Sequence, residues 1–342
     1  MDGRSATIND VAKRAGVAKA TVSMVIRSKP GISEATRQRV LQVARELNYQ
    51  PSPWRQTRGT VRHGQVALLL VTPDMPRVGR QPGGSYLHHL LDGCLAVAEP
   101  AGTSVVVCKM TLDQLESGRF ANVIARRQFD GLLVRAPITS QLNSLLQDLN
   151  QPCVMVDCDR HVAQAAQVLI ENLQAMDELA GHLLERGARR IAVITGDMDH
   201  LNAQERMAGL EMALRRRGVA VHADAVVQEH GFDEPSGFRG AQTLLQRGVR
   251  FDALVCHNDL IALGALRKLH DAGLRVPQDV RVTGFDDMEF SASLPAPLTT
   301  VDSHSEQLGQ TATRLLLDTL ASGPARAIHI RVPARLVVRA ST

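Results

Sequence analysis

The chain has 342 residues, 44% hydrophobic and 22% charged, with a formal net charge of +4. That balance excludes a disordered, collagen-like or disulfide-scaffold protein, and the length suits two or three domains. No apolar run nears the roughly 20 residues of a membrane helix, no secretory signal opens the chain, and the five cysteines form no Cys-x-x-Cys pair. The expectation is a reduced, cytoplasmic protein without cofactor or zinc site.

The charge is unevenly spread. Residues 1–64 hold 12 Lys and Arg against 4 Asp and Glu, leaving +8, while the rest sums to −4. A basic head on an acidic body suits neutralisation of phosphates at one end, although a solvated basic face has the same composition.

Within the head, Thr7-Ile8-Asn9-Asp10 fits a capping box. Ile8, Val11, Ala12 and Ala15 then repeat at helical spacing, and Gly16 ends the helix. A second stripe, Val22, Val25 and Ile26, follows at once. Ser33 caps a third predicted helix over 34–48. Two short helices around a tight glycine turn outline a helix-turn-helix, and a small interaction bundle shares that outline.

From Gln65 short apolar runs alternate with helical stretches. Strands are predicted over 66–71, 104–108, 131–135, 154–157, 191–196, 225–229, 253–257 and 280–285. Helices are predicted over 86–98, 112–127, 142–149, 176–186, 205–217, 236–246 and 261–272. The alternation specifies two doubly wound parallel α/β lobes behind an all-α head. Ligands of such sheets sit beyond the carboxyl ends of the strands. There the sequence places Arg135, Asp157, Gly196, Asn258, Asp259, Asp286 and Asp287. A single Asp at a strand end is commonly a helix cap, so the convergence of several carries the site.

Several words match a known pattern in order and spacing. Ile8-Asn9-Asp10-Val11-Ala12, Ala15-Gly16-Val17, Ala20-Thr21-Val22-Ser23 and Glu46-Leu47-Asn48-Tyr49-Gln50-Pro51 resemble the DNA-binding head of the lactose-repressor (LacI/GalR) family. Pro235-Ser236-Gly237-Phe238, the run from His257 to Ala265, the run from Leu274 to Val280, Gly284-Phe285-Asp286-Asp287 and Pro297-Leu298-Thr299-Thr300 resemble the effector core that these repressors share with periplasmic sugar-binding proteins. The resemblance spans 7–339.

It implies a head over 1–50, a hinge over 51–63 and an effector and dimerisation core over 64–342. The N-lobe would comprise about 64–165 and 303–327, the C-lobe about 166–302 and 328–342. Lys19 to Arg27 would be the recognition helix, with Lys19 and Ala20 meeting base edges and Thr21 and Ser23 meeting phosphates. Thr7, Arg27, Ser33, Trp54 and Arg55 would complete the DNA-facing set. Met24 stands where the family commonly carries Arg or His, so the reading there would be apolar or absent. Pro51-Ser52-Pro53 opens the hinge segment and Gly59 closes it, too short to be a stable helix alone. Arg58 occupies the place of the usual leucine wedge, and Trp54 shares its helical face.

For the core, the resemblance implies that Arg206, Asp286 and Asn258 bind an effector, with Tyr86 and Leu87 lining one lobe and Phe232 stacking from the other. Arg135, Asp157, His200, Asn202 and Ser303 complete that set. Arg135, Arg206 and His200 lean toward an anionic effector, while Asp157 and Asp286 can cancel them. The implied function is a ligand-responsive repressor of a metabolic, carbohydrate-type operon. It would bind palindromic DNA as a homodimer and respond to a sugar, sugar acid or sugar phosphate. Only three residues follow the last strand-like run, 334–339, too few for a tetramer-forming heptad. A solute-binding protein using the same core is the alternative, although it would lack the basic head. No Gly-x-Gly-x-x-Gly, Gly-x-Ser-x-Gly or Walker motif is present, so no catalysis is expected.

Overall fold

The computed structural model describes residues 8–26, 32–47, 63–72, 84–116, 129–136, 142–144, 146, 151–158, 165–322 and 328–342. Three helices form the head: α1 (Ile8–Ala15), α2 (Lys19–Ile26) and α3 (Glu34–Glu46). Val11, Val22, Val25, Val40 and Val43 make its small core. Gly16 turns the chain with φ +65°, a backbone region that costs glycine little. Ser33 caps α3, its Oγ accepting from the Thr36 amide at 3.4 Å.

The N-lobe sheet is built from β1 (Gln65–Thr72), β2 (Ser104–Thr111), β3 (Gly131–Arg135), β4 (Cys153–Val156), β5 (Ala166–Ile170) and β11 (His329–Val332). Its order is β11-β5-β4-β3-β1-β2, every pair parallel. The C-lobe sheet runs β7-β6-β8-β9, from β6 (Ile191–Thr195), β7 (Val226–Gln228), β8 (Ala253–Cys256) and β9 (Arg281–Thr283). These strands read as continuous apolar runs because helices cover both faces of a parallel sheet. Parallel pairing moves two segments across the expected lobe division. Residues 166–170 and 329–332 hydrogen-bond into the N-lobe sheet, although both were expected in the C-lobe.

Helices α4 (Gly84–Ala98) and α5 (Leu112–Glu116) belong to the N-lobe. Helices α6 (Asn172–Glu185), α7 (Leu201–Arg216), α8 (Glu234–Gln246) and α9 (Asp259–Asp271) belong to the C-lobe. The last helix, α10 (Ser305–Ser322), packs on α4. Their backbones approach so closely that a Cβ on Gly93 would overlap the Glu306 carbonyl, and one on Gly309 the Leu90 carbonyl. The chain crosses between lobes at Glu171, again between β9 and α10, and finally after β11. The last two crossings are tied by the antiparallel pair β10 (Thr300–Asp302) and β12 (Arg335–Val337). One apolar cluster runs unbroken through this hinge, from Leu68, Val154 and Val168 to Val193, Leu210 and Phe285. Separate clusters cover the other face of each sheet.

Candidate functional site

The carboxyl ends of both sheets meet at one cleft. On the N-lobe side, Asp157 follows β4 in a left-handed backbone conformation (φ +53°), sparsely populated for a residue with a Cβ. Both oxygens of its carboxylate are engaged. The Tyr86 hydroxyl donates to Oδ2 at 2.7 Å and Asn202 Nδ2 donates to Oδ1 at 2.8 Å. Arg135, at the end of β3, lies 3.6 Å from Oδ2, with its guanidinium 5.1 Å from the Tyr86 ring centre. Burial opposes the charge on Arg135, but Tyr86 and Asp157 outweigh it and raise the arginine further. Burial and the Asp157 charge also raise the Tyr86 phenol, so it stays a donor at neutral pH.

On the C-lobe side, Arg206 projects from the second turn of α7 and is buried. Its guanidinium lies 3.5 Å from the Phe285 ring centre and 3.6 Å from Asp286 Oδ1. It also donates to the His257 carbonyl, and through Nε to Asn172 Oδ1 at 3.0 Å. Asp286 is held at φ +103°, a second strained position facing the cleft. Burial pushes its carboxyl up to about 6 even though Arg206 opposes the shift. His257 is buried beside Arg206, and both ring nitrogens lack a partner among the described residues. Burial, aided by the Arg206 charge, lowers this imidazole to about 3, so it is neutral.

Phe232 and His200 form a wall, their rings edge-on with centres 5.3 Å apart. Gly196, at the end of β6, makes room for it, since a Cβ there would overlap the Phe232 ring. His200 is lowered by burial and carries no charge at neutral pH.

Most of the expected cleft residues therefore converge: Tyr86, Arg135, Asp157, His200, Asn202, Arg206, Phe232 and Asp286. Three stand differently. Asn258 caps α9, its Oδ1 accepting from Ile261 N at 2.8 Å while its Nδ2 donates to the Phe232 carbonyl at 2.9 Å. With both ends of the amide engaged, it positions Phe232. Leu87 packs against the apolar cluster of the hinge. Ser303 is fully buried after β10, and its hydroxyl has no partner among the described residues. Among the described residues each of the two cleft arginines faces a carboxylate, Arg135 with Asp157 and Arg206 with Asp286, and burial lowers His200. Sequence reasoning missed Asn172, Glu205 and Arg331, which join the cleft to the hinge. Glu205 neighbours Arg206 in sequence, and Asn172 offers no local signal at all.

In the head, Lys19 and Ser33 are exposed, and Thr21 and Met24 are half-exposed on or beside α2. Ala20 and Ser23 belong to the same helix. Thr7, Arg27, Trp54, Arg55 and Arg58, with residues 51–62 of the 51–63 hinge, lie outside the described residues. Among the described residues no group of three His, Cys, Asp or Glu could hold a metal, and no helix is long and apolar enough to cross a membrane.

A helix-turn-helix head joined to a two-lobed core with a polar interlobe cleft defines a ligand-responsive DNA-binding regulator. Residues 7–52 match the bacterial regulatory proteins of the lacI family, and residues 180–342 match a periplasmic binding protein-like domain. The HTH-type transcriptional repressors PurR of Erwinia tasmaniensis and Pectobacterium carotovorum are each 31% identical over 339 residues, 98% of this chain and 96% of theirs. Among solved structures, the regulator CelR in complex with cellobiose aligns with a TM-score of 0.75 at 29% identity, covering 98% of this chain and all of its own. The lac repressor dimer bound to operator and the anti-inducer ONPF aligns at 0.71 and 26% identity, covering 99% of each chain. The chain belongs to the lacI family, as a DNA-binding transcriptional repressor and not an enzyme.

Proposed function

We propose that this repressor binds a two-fold operator as a homodimer and is switched by an uncharged, ring-bearing polyhydroxyl effector, a sugar, held between its lobes. The observation that carries the reading is the charge balance of the cleft. Arg135 faces Asp157 and Arg206 faces Asp286, each at 3.6 Å, so among the described residues neither of these arginines is left free for a phosphate or carboxylate. An anionic ligand would have to displace a buried carboxylate from its arginine. A neutral sugar can instead donate hydroxyls to Asp286 and lay its apolar face on Phe232. That one of the structural relatives is a complex with cellobiose supports the class of ligand. The genes controlled would then be those of carbohydrate use.

DNA contact falls to Lys19, Ala20, Thr21, Ser23 and Met24 on α2. Thr7, Arg27 and Ser33 of the head and Trp54, Arg55 and Arg58 of the hinge segment complete the proposed set. A thermal-shift panel of neutral sugars, sugar acids, sugar phosphates and nucleosides tests the effector class, because a ligand of the folded state raises the melting temperature. The expected hits are neutral sugars. Hits confined to the acids and phosphates, or to the nucleosides, would overturn it.

A further inference from the structure

We propose that Asn172 is a positioning residue that couples the effector arginine, Arg206, to the contacts between the lobes; the proposal rests on the reading of the cleft as an effector site. Asn172 opens α6, directly after the first crossover, and is fully buried. Its Oδ1 accepts from Arg206 Nε at 3.0 Å. Its Nδ2 donates to Asn202 Oδ1 at 2.9 Å and to Glu205 Oε2 at 3.1 Å, with the Ile170 carbonyl at 3.4 Å.

All three acceptors lead to the N-lobe: the Ile170 carbonyl belongs to its strand β5, and the other two continue through side chains. Asn202 passes the chain of bonds to Asp157 at 2.8 Å. Glu205 receives a two-pronged contact from Arg331 of β11, at 2.7 and 3.1 Å. The other partners of Arg206 — the His257 carbonyl, Asp286 and the Phe285 ring — all belong to the C-lobe. Among the described residues, the hydrogen-bonded path from the effector arginine to the facing lobe runs through this one amide.

A carboxamide has a fixed polarity, with an acceptor at one end and donors at the other. While Arg206 holds the oxygen, the NH₂ must face Asn202 and Glu205. If the guanidinium turns toward a ligand, the oxygen loses its donor and the amide is released. A flipped amide would set its oxygen against the Asn202, Glu205 and Ile170 oxygens, loosening the links to the N-lobe. Two discrete arrangements biased from the ligand side are what a switching element requires.

The test uses the full chain without ligand. Nitroxide labels at exposed Glu99 on the N-lobe and Glu211 on the C-lobe, in chains diluted into unlabelled protein, report the interlobe distance by pulsed dipolar spectroscopy. Arg206→Met should add a longer-distance population in the parent background. The same substitution should add nothing further in an Asn172→Ala or Asn172→Asp background, because the path is already cut. Asn172→Asp keeps the acceptor for Arg206 and removes the donor without opening a cavity, so it serves if the alanine variant does not fold. An additive shift in the Asn172 backgrounds, or no shift in the parent, would overturn the proposal. Since no effector is added, a wrong ligand class shows in the thermal-shift panel and leaves this result intact.

Discussion

Asn202 donates to the Asp157 carboxylate at 2.8 Å although the two residues belong to different lobes. The bond spans the cleft between the first turn of α7 and the end of β4, where Asp157 is strained. Losing the donor leaves half of a buried carboxylate unpaired, which typically costs about 1–3 kcal/mol. Asn202→Ala should therefore lower unfolding stability by that amount in urea titrations. Hydrogen exchange around residues 155–158 should rise in the same variant.

Asp286 supplies a pH dependence with a definite sign. Its folded pKa is raised to about 6, above the ordinary 3.8, so the folded chain keeps a proton that the unfolded chain has already released. Its contribution to stability is complete below about 4 and is lost as pH rises through about 6. Effector binding runs the opposite way, because a sugar hydroxyl needs the carboxylate as acceptor. Affinity should be level above pH 7 and fall roughly tenfold per unit below about 5. Asp286→Asn should weaken binding and flatten the profile, as read by calorimetric titration between pH 5 and 8.

Gly196 separates the ligand wall from the fold. A Cβ there overlaps the Phe232 ring, which is only half-buried and can swing aside. A Cβ at Gly264 would strike the backbone of Glu234 in the facing helix, which cannot. Gly196→Ala should abolish effector binding with a small change in melting temperature. Gly264→Ala should destabilise the C-lobe by about 1–3 kcal/mol or more.

The proposed dimer has a candidate edge. β2 ends the N-lobe sheet with eight residues, and Val107 at its centre is 43% exposed. A long edge strand carrying an exposed apolar side chain invites pairing with another chain. Val107→Lys should shift the sedimentation equilibrium toward monomer and weaken operator binding, with the monomer fold intact.

The strands and the cleft were legible for different reasons. Buried parallel strands such as Ile191–Thr195 show as uninterrupted apolar runs, and the rule that ligands sit at strand ends points to Arg135, Asp157 and Asp286 from the sequence alone. β5 escaped because Gln167 interrupts it, a buried glutamine whose polarity is met by His329 of the neighbouring strand. α10 escaped because Ser, Thr and Gly dilute its stripe of Leu308, Ala312 and Leu316, whose partner α4 lies far away in sequence. Asn172 could not be seen at all. Its role arises from four groups that only the folded hinge brings within reach of one amide.

In the proposed function an uncharged sugar, held between the two arginine–carboxylate pairs, controls the hold on DNA. Its most direct measurement is the release of an operator, selected from a random duplex pool with the full chain, on titration with matched pairs of each sugar and its 6-phosphate. The uncharged member of a pair should change operator affinity at a concentration at least about tenfold lower than its phosphate, a difference of about 1.4 kcal/mol. A phosphate acting at the lower concentration would contradict it.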